Sequence, residues 1–502
     1  MKTPSDNLFQ LIKSLKSEEK RQFKRVSVNQ NKKPDYIVLF DCIDVMNDFD
    51  NTILTKKLVK KGIYNNISYL KNYLQKQLID FLEDYYNDFS TDIILKKILI
   101  KVEILFEKKL ISLAKLQLKK AEKLVEEKQK LYYLFEVNFW KNQLYGNQKQ
   151  ITLKNEFAKD NDFSFQFLIE QKLYQLDGFI TSIFKKTGQD YNPKIEVQLF
   201  YLTQQFSLKD IEKINTDIGR FYFNFFYGNI FFLRKDYTKA YEHYNNANHL
   251  IIKIDISPRK FIIFYSRFVI ILKLLNFINK IEDIKKIVEN YITKLPSKRQ
   301  TESILNAYAV FTNNLIASQI ESLKIEYALE SISNYSEIHA KYASFQGQIV
   351  NFYYKIIIYF FLKNYQLCLK NINYILNSDM KIRLDILFFS KIMFLLTHYE
   401  LKNYEIIPNY ASMFLNDYQK AKREDEFELM LLNLFYENDF LMLTNYQKEQ
   451  LFFNCRTEII AKNIKENPSY FYLTEWLTSK IANRSFAEVV KESYEQKMKL
   501  TN

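Results

Sequence analysis

The sequence predicts an all-α protein, and three observations carry that expectation. Glycine and proline are rare, seven of each in 502 residues, whereas a sheet protein of this length needs many turn residues. Long stretches place apolar residues at helical spacing. A polar break of the form Lys-x-Tyr also recurs between such stretches, at Lys235-Asp236-Tyr237, Lys363-Asn364-Tyr365 and Lys402-Asn403-Tyr404. Tyr and Phe bring the aromatic content to 16%, so the predicted helix interfaces are packed with rings.

Taken in order, Ser5 or Asp6 is placed to cap a first helix whose apolar side is Leu8, Leu11, Ile12 and Leu15. Val26–Tyr36 is polar, contains Pro34 and reads as a loop. Helices are expected over Ile37–Met46, over Thr52–Lys61 closed by Gly62, and over Ile67–Tyr86. Residues 1–90 form the expected N-terminal basic helical module. Residues 91–420 carry a recurring helical pattern, and residues 421–502 supply C-terminal helices that cap it. Those last helices are expected over Arg423–Tyr436, Leu441–Asn463, Pro468–Ile481 and Phe486–Leu500, the final one polar enough to face solvent.

The clearest unit is Phe221–Leu250. Two helical stretches flank Lys235-Asp236. Gly228 and Phe231 lie on the first, and Ala240, Tyr244 and Ala247 share one face of the second. Small residues let the two axes approach, and the rings fill the space beside them. This resembles one tetratricopeptide (TPR) unit, although Asn224 and Ile252 stand where that unit has its first Trp and closing Pro. The second-helix face recurs at Ala114/Leu118/Ala121, Ile284/Val288/Tyr291, Ala328/Ile332/Tyr335, Cys368/Ile372/Ile375 and Ile407/Ala411/Phe414. From Ala240 onward the spacings are 44, 44, 40 and 39 residues, longer than a standard unit of roughly 34. The 126 residues from Ala114 to Ala240 leave room for two further hairpins. The expected architecture is therefore an α-solenoid of TPR-like hairpins, each burying faces that it cannot bury alone.

No phosphate-cradling glycine loop and no HExxH occurs in the sequence. His243 and His249 are six apart on one helix, about 120° from each other at 3.6 residues per turn, a poor arrangement for one metal. Asp41 and Asp44 are three apart and read as a solvated face or as partners for lysines. Cys42, Cys368 and Cys455 form no CxxC, so a reducing compartment is expected, with Cys368 a buried small hydrophobe. The charged N-terminal stretch is no signal peptide, and Phe261–Ile278 is interrupted by Arg267 and Lys273, so no membrane insertion is expected. No catalytic residue, cofactor or metal is assigned, and the chain is read as a cytoplasmic non-enzyme.

Net charge is +14. Lys115, Lys119 and Lys123 form one helical stripe, and residues 95–130 hold eleven Lys against five Glu. In the N-terminal module Lys20, Arg21, Lys24, Arg25, Lys32, Lys33, Lys56, Lys57, Lys60 and Lys61 are candidates for nucleic-acid contact. Lys56–Leu78 reads as helix, glycine, helix, but Ser68 and Lys71 fall where a helix-turn-helix would bury apolar side chains. The TPR resemblance implies a different job: a concave groove, lined by first helices, that receives a protein or peptide. Tyr222, Asn224, Tyr227, Arg234, Tyr353, Lys355 and Lys391 are the residues this assigns to it. The expected function is a non-enzymatic scaffold or regulator binding a protein or peptide. The alternative is a nucleic-acid-binding regulator that uses the basic N-terminal module with the repeats as sensor.

Overall fold

The structure is a computed structural model that describes residues 4–27, 34–64, 66–88, 90–145, 153–187, 193–205, 207–378, 382–464 and 470–501. Every regular element among these residues is a helix. The chain divides into two compact units, Met1–Leu153 and Lys154–Asn502.

The first unit contains α1 (Pro4–Ser14), α2 (Ser17–Ser27), α3 (Asp35–Asp44), α4 (Asn51–Lys60) and α5 (Ile67–Tyr85). These share a core in which Leu8, Ile12, Phe23, Phe40, Leu54, Leu74 and Leu78 are fully buried. α6 (Thr91–Glu107), α7 (Ile111–Glu127) and α8 (Leu131–Tyr145) close a second core around Leu99, Leu118, Ala121, Tyr133 and Val137. They belong to this unit and not to the one that follows. Two local expectations shift. α1 already begins at Pro4, so Ser5 and Asp6 lie within its first turn. The loop expected over 26–36 is shorter, because α2 runs through Val26 to Ser27 and α3 starts at Asp35, directly after Pro34.

The second unit opens with α9 (Leu153–Thr187), α10 (Pro193–Gln205), a 3-10 turn (Leu208–Lys213), α11 (Asp217–Leu233) and α12 (Tyr237–Ile251). α9 is one helix of 35 residues, out of the 126 residues in which two hairpins are expected. It contains no proline, and its single glycine, Gly178, costs about 1 kcal/mol without breaking the hydrogen-bond ladder. The unit continues with α13 (Pro258–Leu274), α14 (Ile278–Lys294), α15 (Glu302–Glu321), α16 (Ile325–Asn334), α17 (Ser336–Tyr342), α18 (Phe345–Phe361) and α19 (Tyr365–Leu376). α20 (Leu384–Glu400), α21 (Ile407–Lys420), α22 (Glu426–Tyr436), α23 (Asn445–Ala461), α24 (Leu473–Ile481) and α25 (Phe486–Thr501) complete it.

One turn recurs at the helix ends. Lys109, Gln129, Lys235, Asn276, Leu323, Lys363, Lys402, Lys422, Asn463 and Asn483 all have positive φ, as does Gly62. In each case the next residue's N–H returns to a carbonyl five positions back, as in Asp236 to Phe231 at 2.9 Å, Asn364 to Tyr359 at 2.8 Å and Asn403 to His398 at 2.9 Å. This is the Schellman closure, which satisfies carbonyls left open at a helix end. Asp236 and Asn364 then cap the following helix through the N–H of Lys239 and Leu367.

Within the hairpin α11–α12 the small residues sit where close approach demands them. Ala240, Tyr244 and Ala247 are buried. A Cβ added to Gly228 would lie 2.5 Å from the Tyr244 ring. First and second helices differ in burial. α12, α14, α19 and α21 bury mainly one stripe each. α11, α15 and α20 are buried nearly all round. Phe221 and Phe225 pack on Phe264, and Tyr353 packs on Phe389. The C-terminal helices lie against α18 and α20. Phe486 meets Phe360 and Phe361. Trp476, fully buried, donates its indole N–H to Glu400 at 2.7 Å, and Lys480 pairs with the same carboxylate at 2.5 Å.

Candidate binding pocket

A recess lies beside α13, α15 and α18. A cavity of 560 Å³ opens between the C-terminal ends of α13 and α15, the start of α14, the middle of α18, the segment Tyr470–Tyr472 and α25. Tyr353, Tyr354, Tyr470 and Tyr472 line it, together with the apolar Ala317 and Ile357. Lys273 pairs with Glu321 at 2.8 Å on one side. On the other, Lys497 stands 4.6 Å over the Tyr472 ring. Burial raises the Tyr353, Tyr354 and Tyr470 phenols, and the Glu428 carboxylate beside Tyr470 adds to the effect there. The Tyr470 hydroxyl donates to Glu428, and the Tyr353 and Tyr354 hydroxyls stay protonated at neutral pH. The lining holds no His or Cys. Rings, neutral hydroxyls and the ion pairs Lys273–Glu321 and Lys497–Glu475, the latter at 3.9 Å, are groups that hold a peptide backbone and its side chains.

Of the seven residues assigned to the groove, Tyr353 alone lines this pocket. Asn224 is buried and bonds His243 at 3.0 Å. Tyr227 is buried and stacks on the same imidazole. Arg234 pairs with Glu196 at 2.7 Å. Lys391, only 6% exposed, is held by Asp417 at 2.6 Å between the rings of Phe388 and Phe414. Lys355 lies over Phe352. Tyr222 packs edge-on to Tyr174 near Lys260. Asn224, Tyr227, Arg234, Lys391 and Tyr222 thus contact neighbouring helices, and Lys355 lies against a ring of its own helix. Tyr354, Lys273, Glu321, Tyr470, Tyr472 and Lys497 were missed. The Tyr470-Phe471-Tyr472 run was visible as an aromatic cluster, but its return to α15 and α18 has no local signal.

Polar groups are also paired inside the second unit. Asn229 accepts from Tyr244 at 2.8 Å and from Arg267 at 3.0 Å. Buried Asp177 pairs with Lys260. Glu170 accepts from Thr216 at 2.5 Å, and burial pushes its carboxyl up to about 7 against that hydrogen bond. Burial lowers His243 and His339 to about 4, with Lys355 adding to the effect at His339. Cys368 is a buried small side chain whose thiol is pushed up to about 12 by burial. His249 has no part in a metal cluster, and no group of His, Cys, Asp and Glu fit for a metal occurs among the described residues.

The basic N-terminal surface is partly neutralised from within. Lys20 pairs with Asp44 at 2.6 Å, Lys24 with Asp41 at 2.7 Å and Arg21 with Glu18 at 2.7 Å. Asp41 and Asp44 thus act as partners for lysines. Arg25, Lys56, Lys60 and Lys61 are exposed and Lys57 is half-buried. Lys32 and Lys33 lie outside the described residues. On α7, Lys119 and Lys123 are exposed, and Lys123 pairs with Glu127. No helix among the described residues is long and apolar enough to cross a membrane. The chain matches no family model, no curated protein and no solved structure.

Proposed function

We propose that this chain is a non-enzymatic scaffold or regulator whose helical hairpins stack in series, in the TPR-like manner, and hold a protein or peptide segment in the tyrosine-lined pocket. The observation that carries this reading is that helices from successive hairpins converge on one recess of 560 Å³ edged by ion pairs. The first-helix contacts Phe221–Phe264 and Tyr353–Phe389 support serial stacking. Three buried, unpaired cysteines fit a reducing compartment and, with it, the cytoplasm.

Ser322 lines the pocket at the C-terminal end of α15 and is half-buried. Ser322→Trp places an indole at the mouth. The tagged chain and this variant are to be purified from their native cells and compared by mass spectrometry, with an unchanged thermal midpoint as the check on folding. A partner retained by the parent and by Glu330→Lys, but lost from Ser322→Trp, is the expected result. Equal recovery from all three removes the pocket from the reading.

A further inference from the structure

A second groove lies apart from the tyrosine pocket, between α22 and α23, with a volume of 750 Å³. On α22, helical spacing sets Glu426, Met430, Leu434 and Glu437 along one stripe, and all four line the groove. Leu451 and Glu458 line it from α23. Asn433, Asn438 and Asn454 also line it, and Met430, Leu434 and Leu451 form an apolar strip with acidic ends at Glu426 and Glu437. Glu426, Glu437 and Glu458 are exposed. Lys462 is the one lysine or arginine of the lining and is held by Glu458 at 2.5 Å. The rim is thus net negative on a chain whose total charge is +14.

A trough of this kind is the complement of a helix with an apolar stripe flanked by cations. We propose that the α22–α23 groove docks a basic amphipathic helix of a partner protein. Its apolar stripe lies on Met430, Leu434 and Leu451, and its lysines or arginines face Glu426 and Glu437. Glu426 and Glu437 are eleven residues apart on α22, about 16 Å along a helix axis. The docked segment therefore spans about three turns.

The test uses the full chain and three fluorescein-labelled synthetic peptides: a Leu/Lys amphipathic helix, the same helix with Glu for every Lys, and a scrambled Leu/Lys sequence without a continuous apolar stripe. Fluorescence anisotropy reads the affinities at low and high salt. The amphipathic Leu/Lys peptide is expected to bind best and to weaken as salt screens the rim. The double variant Glu426→Lys/Glu437→Lys, both changes on exposed side chains, should weaken it about tenfold. The remote reversal Glu330→Lys should leave it unchanged. Equal binding of the acidic and basic helices overturns the proposal. So does equal binding of the scrambled peptide, an unaffected double variant, or an equal loss in Glu330→Lys.

Discussion

Tyr244 is held from every side. Its hydroxyl donates to Asn229, Phe225 meets it edge-on, and Phe264 and Phe268 stack against it. A ring so confined has nowhere to go when a methyl appears 2.5 Å away. Gly228→Ala should therefore destabilise the chain by roughly 1–3 kcal/mol through overpacking, read as a lower denaturant midpoint. An unchanged midpoint would mean that the two helices have room to separate. Glu170 gives a pH-dependent expectation. Its folded carboxyl is raised from 4.5 to about 7 by burial. Its contribution to stability is therefore fully present below pH 4.5 and is lost as pH rises through about 7. Glu170→Gln stays neutral throughout. Its thermal midpoint should gain on the parent between mildly acidic and mildly alkaline buffer, and a gap that does not vary with pH would contradict this assignment. At this scale the sequence was readable where a residue's size speaks for itself. Gly228, Ala240 and Cys368 could be placed from volume alone, and their packing follows. Asn224, Tyr227 and Lys391 could not, because a polar side chain on a helix looks the same whether its partner is a ligand or the neighbouring helix.

At the scale of the element, the chain makes its fold-backs with few glycines. Seven of the positive-φ positions in the recurrent turn carry Lys, Gln or Leu, residues for which the left-handed region costs roughly 1–2 kcal/mol. The backbone bonds of the Schellman closure compensate. Lys402 has φ 61° and an exposed side chain. Lys402→Gly should relieve the strain at some cost in unfolded-chain entropy, leaving a net gain of up to about 1 kcal/mol in a denaturant titration. A loss would show that the Lys402 side chain contributes more than its backbone strain takes away. The Lys-x-Tyr breaks were legible as breaks because polar residues interrupt an apolar rhythm. The length of α9 was not, since a helix without interruption carries no mark of where it stops.

Across the whole molecule, each compact unit keeps its own cores. The cores around Leu78 and Leu99 lie on either side of the boundary expected near residue 90, whereas the division between the compact units, after Leu153, has no counterpart in composition. The pocket was hidden for a related reason. Its walls come from residues 273 to 497, and contacts such as Trp476 to Glu400 or Phe471 to Phe361 join segments far apart along the chain. The lysines at the turn tips have a use of their own. Lys235, Lys363 and Lys402 each present an exposed primary amine at the tip of a hairpin, so an amine-reactive cross-linker can measure the molecule like notches on a ruler. Hairpins in file predict abundant bridges between Lys363 and Lys402 and none between Lys235 and Lys402. Peptide mass fingerprints with the reverse ratio would mean the rods are bundled in another order.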